Sequence, residues 1–113
     1  MSLDVSLMVT QPVEVYENNI THNLAQMATM VVLENGMTLY DVLWHPEEKG
    51  LCYAKDISEL LDEGWNTLLS NPKHFKKFNP SNGWGDYDGL SDFVYKYRNA
   101  CWDNPDAELR ISR

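Results

Sequence analysis

From residue 4 to residue 15 the side chains alternate in character. Val5, Leu7, Val9, Val13 and Val15 share one parity, while Asp4, Ser6, Thr10 and Glu14 take the other. A period of two is the signature of a strand with one buried face. The stretch therefore reads as one strand or two collinear strands, with Pro12 marking an edge or a break. The alternation returns at the far end, where Ala107, Leu109 and Ile111 interleave with Glu108, Arg110 and Ser112. Strands at the two termini can pair, but a two-stranded ribbon is marginal in water and needs helices packed against it.

Between these strands the period lengthens to that of helices. Ile20, Leu24, Met27, Ala28 and Val31 fall on one helical face, with Asn19 or Thr21 as N-cap. Asn35-Gly36 ends this helix or makes a turn; alternatively Met30 to Leu33 forms a strand that turns there into Met37 to Tyr40. Thr38 with Asp41 resembles a capping box for a short helix through Trp44, stopped by His45-Pro46. Asp56 with Glu59 starts a longer helix whose stripe is Ile57, Leu60, Leu61, Gly64, Trp65, Leu68 and Leu69. Gly64 costs helix propensity on that stripe, so it marks a close approach of a neighbouring element. Residues 72–78 form a short basic turn or helix. The last helix starts near Asp88, buries Leu90, Phe93, Val94, Tyr97 and Cys101, and ends at Asn104-Pro105. The expected fold is α+β, with three or so helices packed on a small antiparallel sheet formed by the N- and C-terminal strands. No linker or repeat divides residues 1–113, which read as a single globular domain.

Composition narrows the function classes. With 43% hydrophobic and 12% aromatic residues the chain can build a core. Its longest apolar run is four residues, far short of the roughly 20 a membrane span needs. The N-terminus lacks a basic n-region and does not read as a signal peptide. Two cysteines, Cys52 and Cys101, are too few for a disulfide framework. The expected setting is a reducing cytoplasm, with both thiols free and each a small buried residue. A net charge of −8 is ill suited to neutralising phosphates, so nucleic acid is disfavoured as a partner.

The chemistry-bearing residues form no standard catalytic or metal-binding spacing. His22, His45 and His74 share no such spacing with one another or with a cysteine, and neither a metal nor a cofactor is expected. Three stretches hold the candidates. Asn18, Asn19, Thr21, His22 and Asn23 gather hydrogen-bonding groups at a helix start, either as caps or as a polar wall. Trp44-His45-Pro46-Glu47-Glu48 places two carboxylates after a rigid bend. Residues 79–87 are turn chemistry, with Trp84 set between two glycines as a plug for the core or the wall of a site. Phe75 and Phe78 are expected to anchor that loop, and Asp88 to cap the helix after it. The candidate ligand-binding set is His22, Asn23, His45, Glu47, Asn82, Trp84 and Tyr87.

The motifs Asn19-Ile20-Thr21-His22-Asn23-Leu24, Leu43-Trp44-His45-Pro46-Glu47-Glu48, Phe75 through Gly85 and Asn104-Pro105-Asp106-Ala107-Glu108 occur together. Their combination resembles a family of small proteins of bacteriophages, prophages and some bacteria that has no assigned activity. Residues 29–38 depart from it, being longer than that family's compact glycine-containing turn. The resemblance implies a setting, with a host or phage protein as partner, and no catalytic residues. The expected function is a non-enzymatic binding or protein-interaction module; the alternative is a small-ligand or enzymatic pocket built from His22, Glu47 and the 79–87 loop.

Overall fold

In the computed structural model, which describes residues 2–9 and 13–113, the N-terminal segment is a hairpin. Strand β1 (Ser2–Val9) pairs antiparallel with β2 (Val13–Thr21), so the two are side by side and not collinear. Pro12 and Thr10 lie outside the described residues. The parity expected for β2 is also corrected. Leu7 pairs with Tyr16 but Met8 pairs with Glu14, which leaves Val15 as the extra residue of a bulge. One extra residue turns every later side chain to the other face. Val15 is consequently exposed, and Tyr16, Asn18 and Ile20 lie opposite Leu7, Val5 and Leu3.

Strand β3 (Glu108–Ser112) pairs antiparallel with the other edge of β1, matching Leu7 to Leu109 and Val5 to Ile111. The sheet order is β2-β1-β3, with the two chain ends joined through β1. Leu3, Val5 and Leu7 are fully buried beneath the helices. Each such side chain contributes about 1.5–3 kcal/mol before entropy is subtracted.

The first helix is shorter than its sequence stripe. Ile20 and Thr21 finish β2, because Leu3 and Ser2 stand opposite them in the ladder. Thr21 is the cap, its hydroxyl accepting from the Asn23 N–H, and a 3₁₀ turn at His22–Leu24 leads into α1 (Ala25–Thr29). Beyond it the chain turns back on itself. Leu33 N–H bonds Met37 C=O at 2.8 Å, Leu39 N–H bonds Val31 C=O at 2.9 Å, and Gly36 takes φ of 90° at the bend. The turn at Asn35-Gly36 is thus the strand-like alternative in miniature, a single bridge between Val32 and Thr38.

Helix α2 (Leu39–Trp44) has the expected reciprocal box, Thr38 accepting from Asp41 N–H while Asp41 accepts from Thr38 N–H. Helix α3 (Ala54–Ser70) begins before Asp56, which sits in its first turn and accepts from both Cys52 and Tyr53 N–H groups. Ile57, Leu61 and Leu68 are buried as expected, but Leu69 is exposed. Gly64 is the close approach its position implied: a Cβ there would meet Leu39 Cδ1 at 2.9 Å. Helix α4 (Pro72–Lys76) sets Phe75 in the core, with Phe78 half-buried after it. Helix α5 (Tyr87–Asp103) is capped by Asp86, not Asp88, through a 2.8 Å bond from Gly89 N–H. Leu90, Phe93, Val94, Tyr97 and Cys101 are its buried face. Helices α3 and α5 run antiparallel, as the pairs Leu68–Tyr87 and Asp62–Arg98 show. Among the described residues no helix is long and apolar enough to cross a membrane.

Candidate functional site

The seven candidate residues fall into separate places. Asn23, Asn82 and Trp84 come together with Asn19 and Thr21 around one open hollow of about 570 Å³. Its two walls come from the β2-to-α1 junction and from the α4–α5 loop. Trp84 is 70% exposed, which overturns its reading as a plug for the core. The backbone explains the outward ring. Gly83 and Gly85 adopt φ of 77° and 98°, conformations that residues with a Cβ rarely take, and the Trp84 N–H is held by Asn82 Oδ1 at 2.9 Å. Gly85 lies flat on the opposite wall, where a Cβ would stand 2.7 Å from Thr21 Cγ2. The loop is therefore docked by its glycine and presents its tryptophan.

Tyr87 is no part of that hollow. It is buried, its hydroxyl donating to Leu68 C=O at 2.6 Å and its N–H to Asn79 Oδ1 at 2.8 Å, so it fastens α5 and the loop to α3. His22 turns its ring toward Trp44, edge-on at 6.0 Å, and its Nε2 is buried with no hydrogen-bond partner among the described residues. Trp44 in turn stacks on Tyr40 at 5.3 Å, and the Tyr40 hydroxyl meets His45 Nε2 at 3.0 Å. The rings form a row from His22 to His45.

His45, Glu47 and Glu48 cluster at the end of that row, with donor atoms within 4.8 Å of one another. His45 Nδ1 lies 2.8 Å from Glu48 Oε2 without in-line hydrogen-bond geometry. Glu47 is already engaged: Arg113 binds its carboxylate and donates to Trp44 C=O at 2.8 Å. Desolvation opposes ionisation of Glu47, but the Arg113 hydrogen bond and charge outweigh it and hold the carboxyl below its ordinary value. The cluster reads chemically as an ion-paired clasp of the C-terminus onto the α2 bend. Glu47 also borders a groove of about 440 Å³ beside β3, where Cys52 is exposed and not buried as its sequence suggested.

One further surface was missed by the candidate set. On the outer seam of α3 and α5 the Arg98 guanidinium lies 4.5 Å from the Trp65 ring centre, 4.3 Å from Trp102 and 5.0 Å from Tyr95. Its charge is matched by Asp62 at 2.8 Å, and the residue is 8% exposed. Tyr95 and Trp102 remain 41% and 46% exposed, with Leu69 exposed on α3. The sequence carried the signal as Tyr95, Arg98 and Trp102 at i, i+3 and i+7, a second stripe beside the core stripe.

Compared with known proteins, the chain matches no family model, no curated protein and no solved structure.

Proposed function

We propose that the protein is a non-enzymatic binding module that grips another protein through the α3–α5 seam. The observation that carries this reading is the Arg98 clamp with its half-exposed Tyr95 and Trp102. Tryptophan, tyrosine and arginine dominate the energetics of protein interfaces, because rigid rings bury much area at little entropic cost. Arg98 is already neutralised by Asp62 and stacked on rings, so covering it costs less than covering a free cation. Glu34, Glu59 and Glu63 line an open hollow together with Asp62, the carboxylate that pairs with Arg98. Together with the net charge of −8 they favour a partner with an apolar centre and a basic rim. The resemblance to small phage and bacterial proteins supports a host or phage protein in that role, and the free thiols suit a cytoplasmic setting.

The test is affinity capture from a bacterial host lysate with the wild type and with the Tyr95→Ala/Trp102→Ala double variant. A partner retained by the wild type and lost by the folded double variant supports the seam. Equal capture by both, or none by either, removes it.

A further inference from the structure

We propose that the hollow beneath Trp84 is a binding site for a neutral saccharide. A lone exposed aromatic is ordinary on a protein surface and carries no meaning by itself. What distinguishes Trp84 is its surroundings. The hollow at its foot is lined by Ser2, Asn19, Thr21, Asn23 and Asn82 and, among the described residues, by no charged side chain. It adjoins a second hollow of about 560 Å³ that shares Asn23 and Asn82 and adds Gln26, Asn79 and Ser81. Among the described residues Lys77 is the one charged residue that lines either hollow. In a chain 23% of whose residues are charged, this is an amide-rich, nearly uncharged strip of surface.

The chemistry selects the ligand class. A phosphate or carboxylate needs cations, and a cationic ligand needs carboxylates; the strip offers neither in quantity. A pyranose presents an apolar C–H face and a rim of hydroxyls, each both donor and acceptor. An indole face carries the negative side of its quadrupole, which attracts C–H groups and excludes water from them. Side-chain amides offer a donor and an acceptor on one planar group, the complement of a pair of neighbouring hydroxyls. Such groups are on hand here. Asn82 spends its Oδ1 on the Trp84 N–H, and among the described residues its amide donors have no protein partner. Asn23 spends an amide donor on Thr21 Oγ1, and among the described residues nothing donates to its carbonyl oxygen. The platform is also held in place before any ligand arrives. Gly85 packs on Thr21 and Leu24, and the loop's other end is tied down where Asn79 Oδ1 accepts from Tyr87 N–H. A site whose parts do not have to be ordered on binding loses less entropy when it is filled.

The proposal stands apart from the α3–α5 seam, and its test separates the two. Maltotriose, cellotriose, chitotriose and lactose are titrated to millimolar concentration against the ¹⁵N-labelled protein. The readout is the Trp84 indole N–H resonance, assigned by its loss in Trp84→Phe. The expected result is a saturable shift of that resonance with at least one of the four sugars, while the Trp44 and Trp65 resonances stay in place. Read from the Asn23 and Asn82 amide resonances, which every variant keeps, Trp84→Ala weakens that affinity by at least about tenfold, Trp84→Tyr keeps it within that factor, and Tyr95→Ala/Trp102→Ala leaves it unchanged. The proposal is overturned if none of the four sugars moves the resonance. It is equally overturned if Trp84→Ala binds as the wild type does, or if glucose 6-phosphate binds more tightly than glucose.

Discussion

Trp44 and Trp84 are the same side chain, each next to a bend of the chain, and the fold treats them in opposite ways. Trp44 is buried between His22 and Tyr40, whereas Trp84 stands out in solvent. The ring's hydrophobicity is equal in both, so it cannot be what decides. Trp44 is the last residue of a capped helix, four positions after Tyr40, and the helix carries its ring onto the core side. Trp84 is held between two left-handed glycines, and there the backbone alone sets where the ring points. Burial follows from the backbone that delivers a side chain, and the two residues give a direct way to measure what that delivery is worth.

The largest effect expected is from Trp44→Ala. Removing a buried indole costs about 3–5 kcal/mol through lost transfer energy and the cavity left behind. It also strips Tyr40 of its stacking partner and leaves the buried His22 edge facing a void. Urea unfolding monitored by far-ultraviolet circular dichroism reads the change. A loss under about 0.5 kcal/mol, the range of an ordinary surface substitution, would break the contrast between the two tryptophans.

Next comes the hinge of the contrast, Gly85. Alanine there must adopt a φ of 98° and push its Cβ within 2.7 Å of Thr21 Cγ2, at a cost of about 1–3 kcal/mol. Gly83→Ala carries the φ penalty without the clash, since nothing lies within 4 Å of its Cβ position. Gly85→Ala is therefore the more destabilising of the two in the same urea assay, and the reverse order would mean that the loop is not docked on β2.

The parts of the fold that were legible in the sequence are those where one local rule governs. The Thr38–Asp41 box, the Gly64 contact with Leu39 and the buried face of α5 each follow from spacing that any helix imposes. The misread parts depend on a partner strand or on a single backbone torsion. The bulge at Val15 reverses the burial of β2, yet nothing in Val13-Glu14-Val15-Tyr16 departs from strand alternation until Leu7 is set opposite Tyr16. Ile20 sits on the helical stripe and off the parity of Val13 and Val15, and only the bulge and the ladder with Leu3 bring it onto the buried face of β2. The candidate site was half legible for the same reason. The loop chemistry pointed to Asn82 and Trp84, but only the fold places Asn19 and Asn23 across from them. Tyr87 belongs to the candidate set as the end of the 79–87 loop, and the fold uses its hydroxyl to donate to Leu68 C=O instead.

The buried side of the comparison is also the alkali-sensitive one. Burial pushes the Cys101 thiol up to about 12 and the Tyr97 phenol well above its ordinary value. Both groups hold their protons in the fold at pH values where the unfolded chain has released them. A raised pKa gives stability that is complete below the unfolded value, here 9.0 for the thiol, and is lost as the pH climbs toward the folded one. Unfolding free energy should therefore fall above about pH 9, by about 1.4 kcal/mol per pH unit for each titrating group. Cys101→Ala should flatten the thiol's share of that slope in urea titrations at stepped pH. An unchanged slope would place the thiol outside the core.

The smallest expected effect is the most diagnostic. A ring 70% exposed contributes little to the fold, so Trp84→Ala should shift the unfolding free energy by no more than about 0.5 kcal/mol in either direction. Its signature should be spectroscopic: of the protein's four tryptophans it is the most exposed, so its loss removes the reddest part of the emission and leaves the blue-shifted Trp44 contribution. A destabilisation above about 1 kcal/mol would mean that the ring packs against the loop in solution and supports its own backbone. Neutral stability, by contrast, leaves a large aromatic group held outward by two glycines and a side-chain amide without any return to the fold. Structure maintained at no benefit to stability is what a binding platform requires.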